Sequence, residues 1–485
     1  MLVRAFGTRD TVVGGPYEVN GSGKFSDIDA KVLKSLRDLS VDAVWYTGIL
    51  NHATKTHFDG IADCNASIVK GEAGSPYAIR DYFDVDPALA TVPGKRMSEF
   101  EDLVSRTHKA GMKVIMDFIP NHVYREYRGY FTPDNFYTLD GPLYLPGELH
   151  SDYSENPARA TGNDVFHCHP SSNDWYETIK LNYCNHGTWQ KMLDILLFWA
   201  AKGIDGFRCD MVELVPSEFF EWAISKLRAQ FPDTLFIAEV YGKQNYGRYH
   251  SAGFDLLYDK SGFYDTLRGI TEGRRRASEL TGEWQQIGDL QPYMLNFLEN
   301  HDEQRVASDF FAGNAARSRA ALAVSLLFNT ASFLLYFGQE FGERGMEQEG
   351  FSGRDGRTSI FDYCTVPAIR RWLDDTLDAD EKSIREEYRT LLRTASTPVF
   401  REGKTYDLMY ANTARERFNP SSNFVWMRAY EGNCKAVAVN FSDRVADIDA
   451  FIPQAAFDYC GIPCREHIVR FHVEPFGYQI LDPSK

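Results

Sequence analysis

Twice within about a hundred residues the chain passes through the same succession of textures. Residues 100–110 carry apolar side chains at helical spacing, Gly111 supplies a stop, and 113–118 form a short apolar run of strand length. Residues 189–201, Gly203 and 204–209 repeat it. The alternation extends from residue 2 to about 390. Residues 2–7 and 42–50 read as strands on either side of a helix beginning at Ala30, and 235–241, 254–258, 294–298 and 332–337 supply four more. Eight strand-then-helix units are the count for a closed (β/α)₈ barrel, whose functional groups gather at the C-terminal strand ends.

One interval breaks the rhythm. Residues 124–189 are rich in Tyr, Asn, Asp, Pro and Gly and are too long for a plain loop, so an inserted subdomain is expected after the third strand. From residue 397 short strand-like runs separated by turn residues, at 423–430, 435–441 and 478–481, predict an all-β sandwich domain. The expected division is a barrel over 1–123 and 190–396, an insertion over 124–189 and a terminal β-domain over 397–485. That last domain reads as a cover for barrel helices rather than a glycan platform, because Trp426 is a single aromatic where a platform needs two or more exposed rings.

Four segments place a carboxylate or histidine just past a strand-like run: Asp117-Phe118-Ile119-Pro120-Asn121-His122, Gly206-Phe207-Arg208-Cys209-Asp210, Phe236-Ile237-Ala238-Glu239-Val240 and Glu299-Asn300-His301-Asp302. Taken alone, an aspartate at a strand end is a turn or cap residue, a histidine is a hydrogen-bonded structural group, and Arg208–Asp210 is a barrel ion pair. Four such segments in order, on recurring strand ends, describe one polar pocket. The formal charge of −16 disfavours nucleic acid and other polyanions, and the 14 % aromatic content suits a neutral ligand. No run has the roughly 18 apolar residues that a membrane span needs. The eight cysteines lack a compact disulfide or zinc spacing, and the N-terminus lacks a basic segment followed by an apolar one. Both features predict a cytoplasmic protein with reduced thiols. The oligomeric state is left open.

These motifs resemble those of the α-amylase family, family 13 of the glycoside hydrolases, across nearly the whole chain. The resemblance implies retaining hydrolysis of α-glucans such as maltodextrins, with Asp210 as nucleophile, Glu239 as general acid/base and Asp302 as transition-state stabiliser. It also implies sugar contacts from Tyr77, His122, Arg208 and His301, with Asp117 and Asn121 supporting the site. The chemistry agrees: retention needs an ionised carboxylate and a protonated acid about 5–5.5 Å apart, and Arg208 holds Asp210 ionised. A glycosyl-transferring relative, of the 4-α-glucanotransferase or maltosyltransferase type, uses the same intermediate. A carbohydrate-binding protein without turnover is the remaining alternative.

Two departures from the family pattern stand out. Glu213 and Leu214 occupy the third and fourth positions after the nucleophile, where typical α-amylases carry Lys-His, and Glu213 is expected on the acceptor side of the cleft with His167, His169, Trp175 and Tyr176. The segment Thr178-Ile179-Lys180-Leu181-Asn182 puts a lysine where a calcium-binding aspartate often stands. An ammonium supplies no oxygen ligand. The expectation is therefore no metal and no cofactor, with Lys180 standing in for the family's structural Ca²⁺. The charged, glycine-rich stretch after the eighth strand, with Gly338-Gln339-Glu340 and 351–357, reads either as an ordered rim or as a solvated loop.

Overall fold

The computed structural model describes residues 1–9, 11–149, 152–348 and 350–484. Seven parallel strands form one curled sheet in chain order: β1 (Ala43–Tyr46), β2 (Lys113–Phe118), β3 (Gly206–Cys209), β4 (Leu235–Ala238), β5 (Leu256–Tyr258), β6 (Met294–Phe297) and β7 (Ser332–Leu334). Helices cover its outer face, so strands such as β3 and β6 are buried along their whole length. The crossover helices start on side-chain caps. Asp29 accepts from Val32 N before α1 (Ala30–Asp38), and Asn185 accepts from Gly187 N before α3 (His186–Ala201). Between them runs α2 (Arg96–Lys109). Gly111 and Gly203 adopt φ of +75° and +90°, the left-handed conformation that ends α2 and α3 and turns each chain into its strand.

The expected strand at 2–7 is corrected. Leu2 makes a single parallel bridge to Thr47, and Val3–Gly7 is helical. A short apolar run does not separate strand from helix by periodicity. What decides here is Arg4, buried at the centre of the run, whose guanidinium donates to the carbonyls of Ala73 and Gly74. Met1 nonetheless lies beside β1, its amino group donating to Trp45 O at 2.7 Å and its carbonyl accepting from Thr47 N.

Past β2 the chain forms His122–Tyr124, leaves, and returns as Thr178–Lys180, an antiparallel pair that sets His122 opposite Lys180. The intervening segment is stapled by Arg125, which is fully buried against Glu155 at 2.9 Å and the carbonyls of Tyr176 and Thr178. The helical layer is completed by α4 (Ser217–Arg228) after β3, α5 (Arg319–Leu327) before β7 and α6 (Ala379–Ala395) after it.

The C-terminal segment is mainly β, with a short helix at Pro398–Arg401, a turn at Met409–Ala411 and the helix α7 (Gln454–Cys460). Strands β8 (Lys404–Asp407), β9 (Asn423–Tyr430), β10 (Asn433–Asn440) and β13 (Tyr478–Leu481) make an antiparallel sheet, and β11 (Ala446–Ile452) pairs with β12 (His467–Val473). Alternate side chains of β9 seat this sheet on α5. Trp426 is completely buried and donates from Nε1 to Leu327 O. Arg428, also buried, donates to four carbonyls, those of Leu327, Asn329, Phe400 and Gly403. A cation on the last carbonyls of α5 meets the negative end of the helix dipole. Burial without a carboxylate partner lowers its pKa to about 9, so it stays charged at neutral pH.

Candidate active site

Register explains why the acids meet. Cys209 of β3 pairs with Ala238 of β4, and each strand continues one step beyond, with Asp210 N donating to Phe118 O and Glu239 N to Cys209 O. Asp210 and Glu239 are therefore neighbours on adjacent strand ends, about 4.8 Å apart in the hydrogen-bonding direction. Arg208, fully buried, points to the same side of β3 as Asp210. Its Nη1 donates to Asp210 Oδ1 at 2.7 Å, and its Nη2 lies 2.8 Å from Glu239 Oε1 as a charge contact off the hydrogen-bonding line. Asp117, level with Arg208 across β2, sits 3.6 Å from Nη1 and accepts from Gly48 N, which fits an architectural position.

Burial and the Glu239 charge push the Asp210 carboxyl well above the usual range, with Arg208 opposing them. Asp302 behaves oppositely. Burial works against its charge, but His301, Arg208 and Arg357 outweigh that and hold it low. The Asn300 side chain shapes this turn by accepting from the amides of Asp302 and Glu303. Glu299, the first residue of the motif, faces the interior and pairs with buried Arg305 at 2.9 Å. Burial pushes Glu299 up to about 7. The stretch after β7 touches the site, where Arg357 donates to Asp302 O at 3.3 Å and grips Asp355.

Tyr77 and His301 lie together, their rings stacked 5.5 Å apart and the Tyr77 hydroxyl 2.6 Å from His301 Nε2. The same Nε2 is 3.0 Å from Asp302 Oδ2, so a sugar hydroxyl has to enter an existing chain of bonds. His122 is held differently. Asn121 Nδ2 donates to Gly162 O and to His122 Nδ1, which fixes the tautomer with the proton on Nε2. Burial, then the Lys180 ammonium, push this imidazole down to about 3.

That shift carries a stability prediction. The unfolded imidazole takes up a proton near 6.5 and the folded one only near 3, so its contribution is complete above pH 6.5 and is lost as pH falls towards 3. Thermal melts should lose about 1.4 kcal/mol per pH unit below 6.5 from this group. His122→Asn should melt lower at pH 7 but with a shallower acid slope. An unchanged slope would mean that His122 titrates normally in the fold.

Sequence reasoning missed several site residues. Arg208 is caged by the rings of Trp45, Tyr77 and Tyr258, at 5.2, 5.7 and 5.6 Å, and its Nε donates to Tyr258 OH. Glu239 receives the Tyr241 hydroxyl at 2.8 Å and the Met211 amide at 2.7 Å. Strand alternation pointed to Tyr241, two residues beyond Glu239, and to Trp45 inside the barrel. Three buried polar atoms here make no hydrogen bond, Asp117 Oδ1, Trp45 Nε1 and Arg208 Nη2, the first and last having only the charge contacts given above.

Met211 takes a left-handed conformation, φ +46° and ψ +49°, at the turn before Glu213. The Glu213 carboxylate accepts from the amides of Tyr241 and Gly242 and from Asn245 Nδ2, so it latches the loop after Glu239. Of the insertion residues expected beside it, Trp175 reaches the site, packing on His122 at 5.2 Å. Tyr176 is buried beneath the insertion and His169 stacks on Tyr144. Lys180 Nζ donates to Asn121 Oδ1 at 2.9 Å and Leu214 O at 3.2 Å and pairs with Asp164.

With this geometry in view, comparison with known proteins is informative. A family described as "Alpha amylase, catalytic domain" matches residues 18–252. Alpha-amylase 3 of Dictyoglomus thermophilum is 27 % identical over 344 residues, 65 % of either chain. An α-1,4-glucan:maltose-1-phosphate maltosyltransferase of Cereibacter sphaeroides is 29 % identical over 343 residues, 66 % of this chain and 49 % of the relative. The chain thus spans less than two-thirds of the length of either relative. Among solved structures, a cyclic α-maltosyl-(1→6)-maltose hydrolase from Arthrobacter globiformis superposes with a TM-score of 0.67 at 17 % identity, covering 100 % of this chain and 93 % of its own. At that identity it establishes the fold alone.

Proposed function

Since the chain belongs to the α-amylase family, family 13 of the glycoside hydrolases, we propose that it is a retaining hydrolase of α-glucans, acting on maltodextrins. The observation that carries this reading is the single Arg208 guanidinium bridging Asp210 and Glu239 on neighbouring strand ends, opposite His301 and Asp302. Asp210 attacks the anomeric carbon while Glu239 gives its proton to the departing oxygen, forming a glycosyl ester. Glu239 then takes a proton from water, the resulting hydroxide attacks the same carbon, and Asp210 leaves. Burial keeps a proton on this acid pair. Retention needs Asp210 to attack as the carboxylate, and the aligned Arg208 bond is the contact that favours this form.

Asp302, held ionised, accepts sugar hydroxyls and opposes the positive charge that develops in the ring. His122 donates from Nε2, Tyr77 and His301 wall the same sugar, and Met211 N and Tyr241 OH orient Glu239. Transfer to a second sugar shares every step up to the ester, so the length of the products discriminates. Digestion of maltoheptaose should give shorter sugars released first as the α-anomer, followed by NMR. Longer sugars would move the assignment to a transferase, and no product would remove the reading.

The family's structural calcium does not fit these residues. The oxygens of Asn121, Leu214 and Asp164 converge on Lys180 Nζ, which fills the centre with a charge that carries no lone pair. Ca²⁺ requires six to eight oxygens. Lys180 therefore takes the place of the cation. A reducing, cytoplasmic setting is proposed from the eight cysteines, whose positions lack a compact disulfide spacing. Among the described residues no helix is long and apolar enough to cross a membrane.

A further inference from the structure

The aromatic surface of the C-terminal domain lies away from Trp426. Tyr410 and Tyr459 are 61 % and 52 % exposed. Tyr406 stands between them, its ring centroid 5.9 Å from Tyr410 and 5.5 Å from Tyr459, with inclinations of 59° and 54°. The Tyr406 and Tyr410 hydroxyls are 2.6 Å apart. Lys404, two residues before Tyr406 on the same face of β8, reaches over Tyr459 at 5.1 Å and donates to its carbonyl at 3.1 Å. The three rings come from three segments: edge strand β8, the turn Met409–Ala411 and helix α7.

Phe424, Trp426 and Phe457 of the same domain are fully buried. Burying a large aromatic side chain contributes roughly 1.5–3 kcal/mol, so a cluster left in water marks a contact surface. Its chemistry narrows the partner. Tyrosine faces take up the C–H faces of pyranose rings, and hydroxyls at the patch edge exchange hydrogen bonds with sugar hydroxyls. A chain of net charge −16 with one lysine at the patch is a poor surface for a polyanion. The mutual tilt of the rings makes a curved cradle, which follows a helically curved α-1,4-glucan better than a flat, extended chain.

We propose that Tyr406, Tyr410 and Tyr459 form a second α-glucan-binding site, outside the catalytic cleft, that holds long polysaccharide while the cleft works on it. The choice of α-glucan as ligand rests on the proposed activity; the existence of the platform does not. The test is retardation of the full chain in a native gel containing amylopectin, using Asp210→Asn so that the gel is not digested, together with maltoheptaose turnover by the otherwise intact chain. Adding Tyr410→Ala and Tyr459→Ala should weaken the retardation about tenfold and leave kcat/KM on maltoheptaose within about twofold. Retardation that is absent, or unaffected by the pair, while maltoheptaose is cleaved overturns the site and leaves the activity standing. Tyrosine-dependent retardation without turnover supports the site and removes the activity. Absence of both removes both. If the double variant fails to fold, Tyr410→Ala alone, at the more exposed ring, decides by the same two readings.

Discussion

Asp210→Gly abolishes maltoheptaose turnover, by on the order of 10⁴-fold or more in kcat, and azide restores glycosyl transfer with a changed configuration. Removing the carboxylate leaves a gap beneath the anomeric carbon that a small anion can enter. Azide then attacks from the face opposite the departing sugar, the glycosidic bond breaks, and Glu239 still gives its proton to the leaving oxygen. The product is a β-glycosyl azide. Glu239→Ala should behave in the complementary way. With an α-glycosyl fluoride, whose leaving group needs no proton, Asp210 still forms the ester, and azide displaces it to give the α-azide. Proton NMR of the two azides assigns the two roles. The loss should be chemical rather than structural, because Arg208 keeps the Tyr258 hydroxyl, its aromatic cage and the Glu239 charge. Kcat within tenfold of the parent, or a β-azide from the Glu239 variant, would overturn the assignment.

Asp210 and Glu239 were legible because each is the first charged residue after a strand buried on both faces, where an apolar run has a sharp end. The chain between 2 and 7 was not legible, since its fate depends on Arg4 reaching carbonyls some seventy residues away. Strands β11 and β12 escaped notice because Asp447, Asp449, Arg470 and His472 on their outer face lend them the composition of a loop. The orientation of Glu213 turns on Met211, where neither glycine nor asparagine marks the left-handed turn. The tyrosine cradle is assembled from three segments that only the fold brings together.

Lys180 offers the second large effect. The His122–Lys180 register sets its side chain beside Asn121, and it gathers oxygens from the end of β2, from the insertion and from the turn after β3. One ammonium thus ties three segments around the nucleophile, as a bound cation would. Lys180→Met should cost about 2–3 kcal/mol, less than a fully buried pair would because Asp164 is partly exposed. Lys180→Asp should be less stable still, since two carboxylates then face one another, until millimolar CaCl₂ is added. Calcium bound to the folded state at about 100 times its Kd returns about 2.7 kcal/mol. Scanning calorimetry of parent and variants with EDTA and with calcium reads this directly. A parent whose melting temperature falls in EDTA would show that Lys180 does not replace the ion. The same substitution tests the coupling to His122, whose pKa is lowered by the Lys180 charge after burial. With calcium withheld, the steep acid limb of the parent should flatten in both variants and flatten further in Lys180→Asp, because removing a positive neighbour and adding a negative one both let the imidazole take up its proton in the folded state.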